Sequence, residues 1–320
     1  MKINNNRRTF LKQTAVLGAL PFVPFSASAF SLHDSVRLFG MSLNGGAIGV
    51  KAGQQELIKL AAKYGFEAVA PSPGELSGMD EQTFRQTLDL LKQNRLQWGN
   101  AGLPVDFRKD VATFEKGLEK LKGMVPRLKA AGVTRMGTWI FPNHQELTYL
   151  QNFELHSDRL RQIARVLETG DIRLGLEYVG PRTLWSAGRY PFLHSLAETL
   201  ELIERIGTGN VGLVLDSFHW FNAEETREDL LVLKNEQVVA CDLNDAVGGL
   251  AASGQRDLYR ELPTATGVID IKTFLEALVQ IGYDGPVRAE PFSRSLNILD
   301  DETAVAATAQ AMKQAFGLIG

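Results

Sequence analysis

The stretch Val211-Gly-Leu-Val-Leu-Asp216 is a short apolar run closed by a carboxylate. As a strand it places Gly212, Val214 and Asp216 on one face and Val211, Leu213 and Leu215 on the other, because successive side chains point to opposite sides. Runs of the same kind recur on either side of it. Strands are expected near Val36–Leu43, Phe66–Ala70, Leu96–Gly102, Val133–Ile140, Ile172–Tyr178, Gln237–Leu243 and Pro286–Glu290. Amphipathic stretches with helical spacing separate them: Gln54–Tyr64, Glu81–Gln93, Val111–Ala131, Phe153–Glu168, Phe192–Ile206, Ala223–Leu233, Ile271–Ile281 and a closing Asp300–Phe316. Gly65, Gly132, Gly170, Gly207 and Gly282 stand where left-handed caps end helices. Eight strands alternating with eight helices predict an α/β fold, a single (β/α)8 TIM barrel. A doubly wound sheet would carry a dinucleotide fingerprint after an early strand; Leu43-Asn-Gly-Gly-Ala-Ile-Gly49 is rich in glycine but lacks that spacing.

The chain opens differently. Residues 4–12, Asn-Asn-Asn-Arg-Arg-Thr-Phe-Leu-Lys, resemble a twin-arginine export signal. An apolar run from Thr14 to Phe25 follows, too short to cross a bilayer as a stable helix. Ala27-Ser28-Ala29 supplies small residues for cleavage. The expected division is therefore a signal peptide over 1–29 and a barrel domain over 30–320. Export implies the twin-arginine machinery as a partner and a periplasmic or otherwise exported, membrane-free mature protein.

Removing the leader takes away four basic residues and no acid, which leaves 30 basic and 37 acidic side chains and a formal charge of −7. That balance argues against a nucleic-acid partner, since phosphate backbones are held mainly by Lys and Arg. The single cysteine, Cys241, excludes an intramolecular disulfide and a cysteine-rich zinc site. The alternation of its strand turns it away from the site, as a small buried residue.

Catalytic groups in such barrels sit at the carboxyl ends of strands. Alternation puts Arg173, Gly175 and Glu177 on one face, Asp242 and Asn244 on one face, and Arg288 and Glu290 on one face. Each of the last four strands thus delivers a carboxylate: Glu177, Asp216, Asp242 and Glu290. A lone acid after a strand is commonly a helix cap. Four at inward positions would repel one another unless a cation lies among them. Hard oxygen ligands favour manganese or magnesium, with Arg173 or Arg288 balancing the remaining charge.

These residues carry a resemblance. Gly175-Leu-Glu-Tyr-Val-Gly-Pro181, Val211-Gly-Leu-Val-Leu-Asp-Ser-Phe-His-Trp-Phe221, Asp242-Leu-Asn-Asp-Ala246 and Arg288-Ala-Glu-Pro-Phe292 resemble the sugar phosphate isomerase/epimerase family, the xylose isomerase-like TIM barrels. Arg260-Glu-Leu-Pro-Thr-Ala-Thr-Gly-Val-Ile-Asp270 resembles its segment before the last helix and strand. The resemblance implies metal ligation by Glu177, Asp216 and Glu290, a substrate-side role for His219, and barrels that often pair as homo-oligomers. It also exposes a departure: the family usually has His where this chain has Asp242.

The family's chemistry implies Glu177 and Glu290 as the pair that removes and returns a proton next to a carbonyl. Trp139 and Trp220 are candidates to stack on a sugar face, Arg256 to contact substrate, and His144 and Arg182 to line the mouth. Phosphorylated sugars are mainly cytoplasmic and no phosphate-cradling loop is visible, so the expected substrate is a non-phosphorylated sugar or keto sugar. Two other readings remain: a lyase or hydratase acting on 3-keto sugars or glycosides, and a carbohydrate-binding barrel without turnover. An apurinic endonuclease would need more histidines and a basic surface.

Overall fold

The computed structural model describes residues 37–320. The leader expected over 1–29, and the start of the first expected strand at Val36, lie outside the described residues.

Among the described residues eleven strand segments follow one another: β1 (Gly40–Leu43), β2 (Ala68–Val69), β3 (Gln97–Trp98), β4 (Ala101–Gly102), β5 (Arg135–Trp139), β6 (Asn143–His144), β7 (Arg173–Glu177), β8 (Tyr190–Pro191), β9 (Val211–Asp216), β10 (Val238–Leu243) and β11 (Pro286–Ala289). Nine of them form one curled parallel sheet in the order β3-β2-β1-β11-β10-β9-β7-β5-β4. Its two ends, β3 and β4, are separated in sequence only by Gly99 and Asn100. The curl therefore returns to the third expected strand, which the sheet uses twice, once on each side. β6 and β8 form a separate antiparallel pair beyond the ends of β5 and β7.

The long helices cover the outside. Those over Gln54–Tyr64, Glu81–Gln93 and Val111–Ala131 occupy the expected residues. Four helices open on Asp with Thr three residues later. Asp80, Asp110, Asp270 and Asp300 each accept from the backbone amide and the hydroxyl of Thr83, Thr113, Thr273 and Thr303, filling orphan donors of the first turn.

Elsewhere the boundaries move. The stretch expected to be helical from Phe192 begins at Leu196, capped by Ser195, because Phe192 and Leu193 are buried ahead of the turn. Ala223–Leu233 holds a helix only over Arg227–Leu231, opened by a Thr226/Asp229 capping box. Short helices over Pro73–Gly78, Arg182–Trp185, Ser217–Asn222 and Arg294–Asn297 follow β2, β7, β9 and β11, each too brief to leave a periodic signal.

Left-handed caps stand at Gly65, Gly132, Gly207 and Gly282 as expected, but not at Gly170. There Asp171 takes the left-handed position, with φ 58°. Gly170 is small for another reason: a Cβ on it would lie 2.6 Å from Val125 Cγ1.

Inside the barrel, an extra residue in β10 opposite β9 forms a bulge at Val239. The Val239 side chain enters beside Gly175 and Gly212; a Cβ on Gly175 would lie 3.1 Å from Val239 Cβ and 2.6 Å from Val214 Cγ2. The bulge also sets register. Beyond it Asp242 pairs with Asp216; in regular pairs elsewhere in the sheet Asp242 faces Arg288 and Trp139 faces Glu177. Among the described residues, no helix is long and apolar enough to cross a membrane.

Candidate active site

A cavity of about 980 Å³ opens at the carboxyl ends of the strands. Glu177, Asp216, Asp242 and Glu290 each bring a carboxylate oxygen into one cluster, all within 4.8 Å of one another. The alternation argument thus holds for all four acids. Arg173 is on the expected face too, but it lies at the opposite end of β7 and donates to the carbonyls of Glu236 and Val238. Its place in the strand puts it a full strand length away from the acids it was expected to balance.

Arg288, the other cation expected to balance them, does so, and Arg260 joins it. Arg288 grips both oxygens of Asp242 and reaches Glu290 Oε1 at 3.2 Å. Arg260 Nη1 donates to Asp216 Oδ2 at 2.6 Å, and its Nη2 donates to Asp257 Oδ1 at 2.7 Å. Burial opposes the charge on both guanidiniums, but the surrounding carboxylates outweigh it and hold both protonated. Arg260 also lies 4.9 Å from the centres of the Phe218 and Phe292 rings. Phe292 takes φ 45°, a strained backbone for a non-glycine residue, held here by the turn after β11.

His219 projects from the first turn after β9, where Asp216 caps the short helix by accepting from the Phe218 amide at 2.6 Å. Its ring lies between two N–H groups, Arg260 Nη2 at 3.1 Å from Nε2 and the Gly180 amide at 3.3 Å from Nδ1, of which the neutral ring accepts from one. Burial first, and Arg260 second, push its pKa down to about 3, so it is neutral at ordinary pH.

Burial raises Glu177 well above the usual carboxylate range, and Glu290, Asp242 and Asp216 push the same way. Glu290 is raised to about 7, again chiefly by burial, with Arg288 pulling it down. Asp242 is raised by burial against the pull of Arg288. Asn244, buried behind the acids, ties two of them together: its side-chain amide donates to both Asp216 oxygens, and its side-chain carbonyl accepts from the Glu290 backbone amide at 2.8 Å.

Of the residues expected around the substrate, Trp139 and Arg256 line the cavity with His219. Three do not. Trp220 is 7% exposed, packs on Phe274 and donates from its indole to the Thr226 carbonyl, so it is core. His144 turns its Nδ1 to the amides of Glu146 and Leu147 and orders its own loop. Arg182 lies over Trp185, while its neighbours Thr183 and Leu184 line the cavity instead. Sequence position brought each of these to the mouth; side-chain direction turned each away. Cys241 is buried in the apolar core and does not line the cavity. The local pattern gives Asn244 a place on the face of Asp242 and gives Arg260 and Asp257 no site role. Arg260 lies 44 residues from Asp216, and no local periodicity announces that pairing.

A divalent cation fits this donor set. Glu177 Oε1 is buried without a hydrogen-bond partner and points into the cluster. Five carboxylates, counting Asp257, face two guanidiniums, which leaves formal negative charge for a hard cation to offset.

Residues 58–315 match the family model described as xylose isomerase-like TIM barrel. The chain belongs to that family. Within it, the chain is 26% identical over 200 residues to an inosose isomerase of Bacillus subtilis, a match covering 60% of this chain and 67% of that one. It is 24% identical over 191 residues to a D-psicose 3-epimerase of Enterocloster bolteae, covering 57% of this chain and 56% of that one. The structure of a xylose isomerase domain protein from Alicyclobacillus acidocaldarius superposes with a TM-score of 0.77 at 28% identity, covering 88% of this chain and 99% of that one. A xylose isomerase-like barrel is thus what the alternation of strands and helices builds, with its acids at the end where the family fold opens.

Proposed function

We propose that this xylose isomerase-like barrel is a sugar isomerase or epimerase that moves a proton on the carbon next to a carbonyl. The observation that carries the proposal is the meeting of Glu177 and Glu290 oxygens in one buried cluster, beside a neutral His219. The names of the relatives, an inosose isomerase and a D-psicose 3-epimerase, agree with it.

Glu177 and Glu290 come from β7 and from the end of β11, on opposite sides of β9 and β10 in the sheet. A planar enediolate lying between them presents one face to each carboxylate. One removes the proton and the other returns it, which inverts the carbon. His219 holds a substrate hydroxyl or carbonyl. Arg288 and Arg260 keep the acids separated in charge and direction. Glu177, Asp216 and Glu290 would hold a divalent cation, manganese or magnesium, which supplies electrophilic stabilisation of the developing oxyanion. Asp242 is held back by Arg288.

The proposed substrate is a non-phosphorylated sugar or keto sugar, and the proposed location of the mature protein is outside the cytoplasm. The test is incubation of the metal-loaded protein with ketoses and keto sugars in deuterated water. Deuterium entering next to the carbonyl without loss of a group supports epimerisation. An unsaturated product assigns the same proton abstraction to a lyase. No exchange with any carbonyl sugar overturns both and leaves a binding barrel.

A further inference from the structure

The floor of the cavity is charged, while its rim sets apolar and aromatic side chains beside Arg108 and Arg256. Glu177, His219, Arg260, Arg288 and Glu290 lie at the bottom. Trp139, which ends β5, and Phe141, just after it, line the cavity together. Leu258 and Tyr259, on the loop after β10, also line it. Trp139 and Tyr259 are each 42% exposed and Leu258 is 60% exposed. Burying such groups is favourable only when something apolar or ring-shaped covers them.

Both aromatic groups are held in place. Arg108 Nη1 donates to the Trp139 carbonyl at 2.7 Å, and its guanidinium lies 4.3 Å from the centre of the indole ring. Phe141 meets that indole edge to face at 5.8 Å. Arg294 Nη2 donates to the Tyr259 hydroxyl at 3.0 Å. The turn that carries Leu258 and Tyr259 is closed by the Tyr259 amide on the Arg256 carbonyl at 3.1 Å. Arg260 ties that turn to the floor, through Asp257 on the turn and Asp216 below. An ordered aromatic rim loses little entropy when a ring settles on it.

Size points the same way. At about 980 Å³ the cavity stands at the upper end of small-molecule sites, which span roughly 300–1,000 Å³. A single sugar reaching the carboxylates leaves the rim uncovered. We infer that the substrate is a glycoside: its carbonyl-bearing sugar lies on the floor between Glu177 and Glu290, and its second ring lies at the mouth on Trp139, Phe141, Leu258 and Tyr259. This rests on the reading of the floor as a sugar site.

The experiment measures binding by calorimetry to the metal-loaded wild-type protein, with chromatography of the recovered probes showing that none is turned over. The probes are glucose and galactose, their phenyl glycosides, the disaccharides cellobiose and lactose, and glucose 6-phosphate. At least one glycoside should bind tenfold or more tightly than its parent sugar. Trp139→Ala and Tyr259→Ala, each at an exposed position and each checked for an unchanged melting temperature, should bring that ratio toward one. Parent sugars binding as tightly as all their glycosides would overturn the inference and leave the sugar site standing. A ratio that survives both substitutions would overturn it too, as would tightest binding of glucose 6-phosphate. If no probe binds, the sugar reading of the floor falls, and the inference falls with it.

Discussion

Arg288 and Asp242 stand side by side on β11 and β10 and meet in a two-point ion pair, Nε on Oδ1 and Nη2 on Oδ2, the latter at 2.8 Å. The guanidinium fork matches both carboxylate oxygens and fixes their direction. The pair takes Asp242 out of the free ligand set while leaving it in the cluster.

The first prediction follows from that pairing. Glu177 has no competing partner on Oε1, so Glu177→Gln should weaken manganese binding by more than roughly 100-fold. Asp242→Asn should weaken it by roughly tenfold or less. Arg288→Met, which removes a nearby positive charge and frees Asp242, should tighten it. Titration with manganese followed by elemental analysis checks the order; Asp242→Asn losing metal as completely as Glu177→Gln would contradict it.

Glu177 and Glu290 should separate by face. Each Gln variant should lose roughly 10²–10⁴-fold in epimerisation. A single variant should still exchange deuterium into one epimer, through the carboxylate that remains. Mass spectrometry of recovered substrate, with chromatographic separation of the epimers, reads both effects. Full epimerisation by either variant would remove the two-carboxylate scheme.

Arg260 is the clasp of the site. Arg260→Met leaves Asp216 buried without its guanidinium, at a cost of about 3–5 kcal/mol by analogy with other broken buried pairs. Urea denaturation should show it directly. Added manganese should recover part of the loss, because the cation offsets the same carboxylates.

Glu225 gives a pH signature away from the cavity. The Tyr178 hydroxyl and the Leu196 amide donate to its two oxygens, yet burial lifts its pKa to about 7 from an ordinary 4.5. Between those values the folded chain keeps the proton and the unfolded chain releases it, so stability falls as pH rises through that window and levels off above it. The change attributable to this group is on the order of 3 kcal/mol at most. Denaturation midpoints from pH 4.5 to 8 should decline less steeply in Glu225→Gln than in the wild type; parallel curves would exclude the group as a cause.

Export is tested apart from the fold. Replacing Arg7 and Arg8 with lysine should keep the protein in the cytoplasm at full length, and fractionation with immunoblotting reports it. Unimpaired export of that variant would argue against a twin-arginine route.

Much of this molecule is legible along the chain because its signals are local. The helices over Gln54–Tyr64, Glu81–Gln93 and Val111–Ala131 carry enough turns for their apolar faces to repeat. β9 fills the expected Val211–Asp216 because its run is apolar and ends where the chain turns into a capped helix. The four acids were reachable by counting alternate positions back from strand ends. Trp220 was not: it shares a motif with Asp216 and His219, yet it sits one residue further round a helical turn and faces the core. The same limit applies to Gly170, where a close neighbour on another helix, not a cap, requires the small residue.

The amino-acid order by itself determined the barrel and the strands that end in acids, because burial, periodicity and capping act over a few residues at a time. Strand position offered Arg288 and Arg173 alike as counter-charges; the closed barrel selected Arg288 and added Arg260. Arg260 reaches Asp216 from 44 residues away and Arg288 reaches Asp242 from 46, while Arg173, on the expected face, points into the other end of the barrel. Charge pairing depends on distance in space, and the closing of the sheet sets that distance.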